Sequence, residues 1–528
     1  MKSKNLTLII IGIGKMGGIV FRALPAIFES LLKEEINIDN LYIIDADDKK
    51  LEKLQFYSEE FKYSFNIKNK KIFFSSIRSL INEEFKEKNK NDFIFIYDSS
   101  PTPIHSENIS YFNLNLESFK HVYYLCEKPI TSDKGYLCLL QGYINSSSKN
   151  FEVCTSLPEI YNPAYMTLKK YIDENNCKIK HLSFFRFSSM GFDKIFTRNK
   201  RQGVAGGALE DKAIHDLSLT FDLLNINKLK LKYNIRFNNS SKNCGNEMYL
   251  KEPADINIDF KLGENPLFMP SDFISLNSSA PNFMTVDNGQ NIENVFLSEP
   301  VENDDYYWSY AADCNMNFHI NWFINNQLEP IPSDYYVSWI GLMGEFQDYL
   351  KDKFGIIFDD FYFEGENNFE EYACRSYQYS FSFKEEEARI IIAEIEKDDN
   401  STELLICNTL QRTNGIKNIK YWVKKLIKRN NDFTTQDLGL IKNNDLPFND
   451  NYLLKFIFKK IVDFCNGKEI REDKITIFSH LIISEVREKL FNSLSACNNI
   501  NDVSGNYINK ARSLFNNRIL MKKSSKNF

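Results

Sequence analysis

The run Leu6-Thr-Leu-Ile-Ile-Ile11 is apolar at all but one position, which predicts a strand buried on both faces, as in a parallel sheet, rather than a strand with one wet side. It leads directly into Gly12-Ile-Gly14-Lys15-Met16-Gly17-Gly18. The next segment, Ile19 to Lys33, predicts a helix, and Leu41-Tyr-Ile-Ile-Asp45 predicts a second strand that ends in an acid. Two more buried-strand runs follow: Asp92-Phe-Ile-Phe-Ile-Tyr97, which ends in Asp98-Ser99-Ser100-Pro101-Thr-Pro103-Ile-His105, and Val122-Tyr-Tyr-Leu-Cys126, which ends in Glu127-Lys128-Pro129. Both put polar and proline residues at the carboxyl end of a strand, the edge at which open parallel sheets bind ligands.

Beyond residue 150 the pattern changes. Ile179 to Phe187, Ile256 to Lys261, Tyr306 to Phe323, Tyr372 to Phe383, Ala388 to Ile395 and Glu403 to Asn408 are rich in aromatic and β-branched residues and predict strands. The strand–helix alternation of the first part does not recur. Leu209 to Leu224 carries apolar residues at helical spacing. The fold class expected is an α/β part followed by an α+β part.

Composition narrows the function classes. A chain of 528 residues has the length of several domain-sized units, and two large domains are expected. With 43% hydrophobic and 14% aromatic residues, it has ample material for cores and is neither a disordered nor a disulfide-stapled protein. Lys plus Arg number 65 against 71 Asp plus Glu, a net charge of −6 with both signs interspersed, which argues against nucleic acid as a partner. The ten cysteines are scattered without a C-x-x-C pair, so reduced thiols and no metal site are expected. No apolar run reaches the roughly 18 residues of a membrane span, and the expectation is a cytoplasmic protein without a membrane partner.

Each part of the first 45 residues has a mechanical reason. In G-x-G-x-x-G between a strand and a helix, Gly12 permits the tight turn, Gly14 lets a pyrophosphate approach the backbone, and Gly17 lets the helix pack on the strand. Free N–H groups of Lys15 and Met16 at the helix start would face the phosphates. Asp45 would accept from the ribose hydroxyls, which favours NAD; the neighbouring Lys49 and Lys50 weaken that preference and keep NADP possible. Asp45 lies 28 residues after Gly17 where about 20 is usual, a surplus that fits a longer first helix or a loop near Lys33 to Asp39.

The order G-x-G-x-x-G, then a strand followed by Ser-Pro with His105 four residues on, then His121-Val-Tyr-Tyr-Leu-Cys126-Glu-Lys-Pro129, resembles the glucose-fructose oxidoreductase and inositol dehydrogenase family. Tyr161-Asn-Pro163-Ala-Tyr165 and Gly206-Gly207-Ala-Leu-Glu-Asp211-Lys-Ala-Ile-His215 continue the likeness, and Phe456 to Gly467 with Ile475 to Phe491 resemble its two closing helices. The resemblance implies an N-terminal Rossmann dinucleotide-binding domain over 1–150. It further implies a substrate-binding α+β domain over 151–505 on a large, open, mainly antiparallel sheet, enlarged in 225–450. A basic tail over 506–528 completes the expected organisation.

It also implies chemistry. Lys128, Asp211 and His215 would be catalytic: His215 removes the hydroxyl proton of a secondary alcohol, Asp211 orients the alcohol or the imidazole, and Lys128 steadies the oxygen. Gly12, Gly14, Lys15, Met16, Gly17, Asp45, Ser99, Ser100, Pro101, His105, Glu127 and Lys128 would hold the NAD, or NADP, cofactor, with Glu127 also anchoring its strand end. Lys128-Pro129 is a candidate cis peptide. Lys212 points about 100° away from Asp211 on a regular helix and is left out of the site. Lys194, Arg198, Lys200 and Arg201 form a basic cluster read first as a solvated loop, and His181 and His480 have no companions in sequence. The reaction expected is NAD(P)-dependent hydride transfer on a sugar, cyclitol or related polyol by a homo-oligomer. Alternatives on the same scaffold are an NAD-dependent glycoside-cleaving enzyme and a redox-silent dinucleotide-binding protein.

Overall fold

The first apolar run forms β1 (Lys4–Ile11), and the glycine turn hands it directly to α1 (Lys15–Lys33). The computed structural model describes residues 4–69, 71–89, 92–116, 119, 121–130, 151–187, 209–226, 233–238, 256–262, 267–269, 312–324, 329–338, 362–363, 367–368, 388–410, 421–429, 432–441, 448, 451–468, 479–480 and 482–483. Outside these lie Gly206 and Gly207, the expected strand Tyr372 to Phe383, the basic cluster, most of Ile475 to Phe491 and the tail 506–528. The chain divides into two compact units, Met1–Tyr161 with Asn443–Leu481, and Asn162–Lys442 with Ile482–Phe528.

In the first unit β2 (Ile36–Ile44), β3 (Phe73–Phe74), β4 (Phe93–Asp98), β5 (Val122–Glu127) and β6 (Phe151–Ser156) join β1 in one sheet, ordered β3-β2-β1-β4-β5-β6. Every pairing is parallel, the doubly wound Rossmann arrangement with its order reversing beside β1 and β4. Alternate residues of each strand feed opposite faces, which is why the central runs carry no polar alternation. The surplus before Asp45 is neither a loop nor helix alone: β2 starts at Ile36 and takes in Asn37, Asp39 and Asn40. Side-chain partners satisfy them. Asn40 Nδ2 donates to Asn89 Oδ1 at 2.8 Å, Thr7 Oγ1 donates to the same oxygen at 2.7 Å, and Lys68 pairs with Asp39.

The first unit also runs past the boundary expected at 150, because β6 pairs with β5 from Val122↔Phe151 to Glu127↔Ser156. It recruits a distant helix besides, Tyr452–Cys465, whose start is capped by Asn451 accepting from Leu454 N–H. Phe464 of this helix meets Phe93 edge-on at 5.4 Å and Tyr123 at the same distance, over the stacked Phe95–Tyr123 pair. Burying a ring of this size stabilises by about 1.5–3 kcal/mol.

The second unit begins with α2 (Pro163–Glu174). Asn162 caps it, accepting from Ala164 and Tyr165 N–H, with Pro163 in the first turn. Next come β7 (Lys178–Phe187), a π-helical turn at Leu209–Ala213, and α3 (Ile214–Leu223). The strands that follow are β8 (Tyr233–Asn238), β9 (Ile256–Leu262), β10 (Leu267–Met269), β11 (Ala312–Ile324), β12 (Ile331–Ser338), β13 (Tyr362–Phe363), β14 (Asn367–Asn368), β15 (Ala388–Glu396), β16 (Thr402–Asn408), β17 (Trp422–Arg429) and β18 (Asp432–Asp437). The main sheet is ordered β18-β17-β16-β15-β7-β12-β11-β9-β8, with β10 beside β11. Only β7–β12 and β8–β9 are parallel among these pairings, so the sheet is mainly antiparallel, as the resemblance implies. Cross-strand rings tie its middle: Tyr335 stacks between Phe184 at 5.2 Å and Phe318 at 4.8 Å, and Phe221 of α3 abuts Trp322 edge-on. Tyr452–Cys465, which belongs to the first unit, is α4.

Candidate functional site

The carboxyl ends of β1, β2, β4 and β5 bring the glycine turn, Asp45, Ser99 to His105, and Glu127 to Pro129 to one edge of the parallel sheet. Gly12 has φ +79°, a left-handed backbone that side chains disfavour. A Cβ on Gly17 would sit 1.9 Å from the Gly12 carbonyl oxygen, so the helix and the turn touch there. At Gly14, by contrast, a Cβ would meet nothing within 4 Å. That open backbone caps α1 with no side chain of its own, and the first N–H groups of an α-helix, here from Lys15 and Met16 on, have no acceptor within the helix.

Asp45 closes the turn from the β2 side. Its Oδ2 accepts from Ile13 N–H at 2.6 Å and from Lys50 Nζ at 2.8 Å, and its Oδ1 accepts from Asp47 N–H at 3.0 Å. Burial raises the carboxyl's pKa, but Lys50 and the two N–H groups outweigh it and hold Asp45 below the ordinary carboxylate range. The acid expected to read a ribose therefore already carries a lysine partner.

Ser99 Oγ donates to Gly12 O at 2.6 Å and its N–H donates to Ile11 O at 2.8 Å, fastening the end of β4 to the turn. Pro101 precedes the helix Thr102–Asn115, and Ser100 N–H donates to Asp98 Oδ1. Asp98 Oδ2 accepts from Asn108 and Tyr124, a buried network that sequence reasoning did not single out. His105 is 1% exposed; its Nε2 lies 2.7 Å from Ser100 O and its Nδ1 3.0 Å from Pro129 O. A neutral imidazole has one N–H and can donate to one of these carbonyls, whereas the imidazolium donates to both. Asp98, His105 and Cys126 bring ligand-type atoms within 4.8 Å of one another. The carboxylate and imidazole are occupied by these bonds, and burial, then Asp98 and Glu127, push the Cys126 thiol well up.

Glu127 accepts from Tyr97 Oη at 2.7 Å. Burial raises its pKa against the pull of Tyr97, Ser156 and Lys128, consistent with an anchor for the strand end. Lys128 follows, half-buried, and the Lys128–Pro129 peptide is cis as expected.

In the second unit Asp211 and His215 are buried, at 2% and 8% exposure. Asp211 lies on the π-helical turn and His215 in the first turn of α3. The π-helical turn is wider than an α-helix, so the 100° spacing used to leave Lys212 out does not apply there, and Lys212 Nζ lies 3.7 Å from Asp211 Oδ2. A second feature that sequence reasoning missed adjoins His215. Asp216 accepts from Arg186 of β7 at 2.8 Å and 2.7 Å, both side chains buried, a pairing across thirty residues that no local pattern announces.

No protein-family model and no curated protein sequence matches the chain. Among solved structures, an oxidoreductase domain protein from Kribbella flavida is similar with a TM-score of 0.51 at 12% identity, covering 93% of this chain and 98% of its own. The chain shares the fold of that protein. Aldose-aldose oxidoreductase from Caulobacter crescentus, in complex with glycerol, gives a TM-score of 0.48 at 10% identity, and myo-inositol 2-dehydrogenase from Lactobacillus plantarum 0.46 at 13%, each with 93% of this chain and 98% of its own covered. No helix among the described residues is long and apolar enough to cross a membrane.

Proposed function

We propose that this protein is an NAD(P)-dependent oxidoreductase that transfers a hydride between nicotinamide and a secondary alcohol or ketone of a sugar, cyclitol or related polyol. The observation that carries the reading is the glycine turn at the β1–β4 switch point. Gly14 leaves its backbone open to a phosphate, Gly17 locks the helix on the turn, and Asp45 stands at the end of the next strand. These residues fit a dinucleotide, whose nicotinamide, when bound, supplies the hydride acceptor or donor.

The chain's own residues supply the rest. In the oxidising direction His215 takes the hydroxyl proton as the carbinol C–H leaves as hydride, so alcohol becomes ketone and no further reactant is needed. Asp211, with Lys212 beside it, orients the alcohol or the imidazole, and the Lys128 ammonium lowers the cost of negative charge on the reacting oxygen. The Asp45–Lys50 pair suits either cofactor: the carboxylate receives the 2′-hydroxyl of NAD, and the ammonium answers the 2′-phosphate of NADP. A homo-oligomeric assembly belongs to the same proposal.

The test joins binding to turnover. Wild-type protein is expected to bind NADH or NADPH by fluorescence titration and to reduce or oxidise a member of a sugar and cyclitol panel. Lys128→Met should lower kcat by about 10²–10³-fold and His215→Ala by about 10²–10⁴-fold, with the dinucleotide Kd within a few-fold of wild type. Normal turnover in both variants would overturn the assignment.

A further inference from the structure

The peptide group joining Pro129 to Ile130 is held at both of its polar atoms by buried histidines. Its carbonyl oxygen lies 3.0 Å from His105 Nδ1, and its N–H donates to His480 Nε2 at 3.1 Å. A trans peptide points these two groups in opposite directions, so the rings grip it from opposite sides. His105 comes from the helix that follows β4, and His480 lies 350 residues beyond Ile130; both are at most 3% exposed, and Ile130 is fully buried. On the other side of Lys128, Glu127 is fixed by Tyr97 and by the pairing of β5 with β6. The backbone is thereby pinned immediately before and immediately after Lys128.

We propose that His480, acting with His105 on the Pro129–Ile130 peptide, is a positioning residue that sets where Lys128 presents its ammonium. The inference rests on the role given to Lys128 above and deepens it. His480 acts through its Nε2 lone pair: the ring accepts from Ile130 and never touches substrate. A side chain that fills the same space without an acceptor leaves a buried N–H unsatisfied and lets the turn relax by a fraction of an ångström to an ångström. Misplacements of that size cost a catalytic group up to about 10²-fold in rate.

The test uses the full-length protein. His480→Phe keeps the volume and removes the acceptor, whereas His480→Gln offers an amide oxygen near the place of Nε2. Hydrogen–deuterium exchange resolved at Ile130 reads the clamp directly, without reference to activity. His480→Phe is expected to speed exchange at Ile130 severalfold and to lower kcat between about 10- and 100-fold, with KM and dinucleotide Kd unchanged. His480→Gln should restore much of both. Because the histidine works through Lys128, His480→Phe combined with Lys128→Met should be no slower than Lys128→Met alone. Unchanged exchange at Ile130, no advantage of Gln over Phe, or additive losses in the double variant would each overturn the proposal. Should His480→Phe not fold, the comparison of wild type with His480→Gln and His480→Ala by the same exchange measurement decides it. If Lys128→Met turns over normally while exchange at Ile130 responds, the role of Lys128 has failed and the clamp stands apart from it.

Discussion

Replacing Gly17 by alanine separates the two jobs of the glycine turn. The new methyl carbon would stand 1.9 Å from the Gly12 carbonyl oxygen and 2.5 Å from Ser99 Oγ, where real Cβ atoms essentially never come within 3.0 Å. Ser99 can rotate away. The Gly12 carbonyl has no such freedom, because Gly12 N–H is bonded to Ile44 O at 2.7 Å and its φ is fixed at +79°. The start of α1 must therefore withdraw by about 1 Å from a close-packed neighbour, which costs about 1–3 kcal/mol. For a unit of this size that lowers Tm by about 2–10 °C.

Gly14→Ala behaves in the opposite way. Its methyl meets no protein atom within 4 Å, and losing a glycine cap costs under about 1 kcal/mol. The methyl instead occupies the space through which a phosphate would reach the backbone. Forfeiting one charge-assisted hydrogen bond, about 1.5–3 kcal/mol, weakens NADH by about 10- to 100-fold. Thermal melts by circular dichroism beside NADH fluorescence titrations read both effects. If Gly17→Ala melts with the wild type, the helix does not touch the turn as described; if Gly14→Ala binds NADH as tightly as wild type, the turn does not hold the dinucleotide.

Asp45 predicts a pH dependence. Its folded pKa lies below the unfolded value, so the stability it contributes is fully present above about pH 4 and is lost as pH falls through the lowered folded value. The difference in Tm between wild type and Asp45→Asn should close over that acidic window, and a difference that stays constant there would refute the reasoning. In the same site Lys50→Ala should shift preference from NADPH toward NADH, and an unchanged ratio of the two Kd values would remove Lys50 from cofactor choice. In the second unit Arg186→Met takes the guanidinium from the buried Asp216 carboxylate and should cost about 3–5 kcal/mol, with partial recovery on adding Asp216→Leu. A single variant as stable as wild type in urea titration would show the pair to be idle.

What the sequence made legible follows from which interactions are local. The β1, β4 and β5 runs announce themselves because buried parallel strands are apolar throughout, and the glycine turn because each glycine answers a steric need. β2 is only half legible: Asn37, Asp39 and Asn40 break its apolar pattern, and their partners Lys68 and Asn89 lie far along the chain. β6 falls beyond the boundary the sequence suggests at 150 because its strand partner precedes it by some thirty residues. The π turn at Leu209–Ala213 carries no signature in the apolar spacing, so regular helical phase does not describe Lys212. His480 looked solitary because its companion is a backbone amide 350 residues away, and Asp216 gave no sign of Arg186.

The detour of the chain between Tyr161 and Asn443 has a consequence for biosynthesis. The six strands of the first sheet are complete by Ser156, yet α4, whose Phe464 covers Phe93, Phe95 and Tyr123, is made roughly 300 residues later. At about 5–20 residues per second, a ribosome leaves that aromatic face bare for some 15–60 s. A nascent chain stalled in that interval should be a strong ligand for holdase chaperones, and release of α4 from the exit tunnel should end their hold.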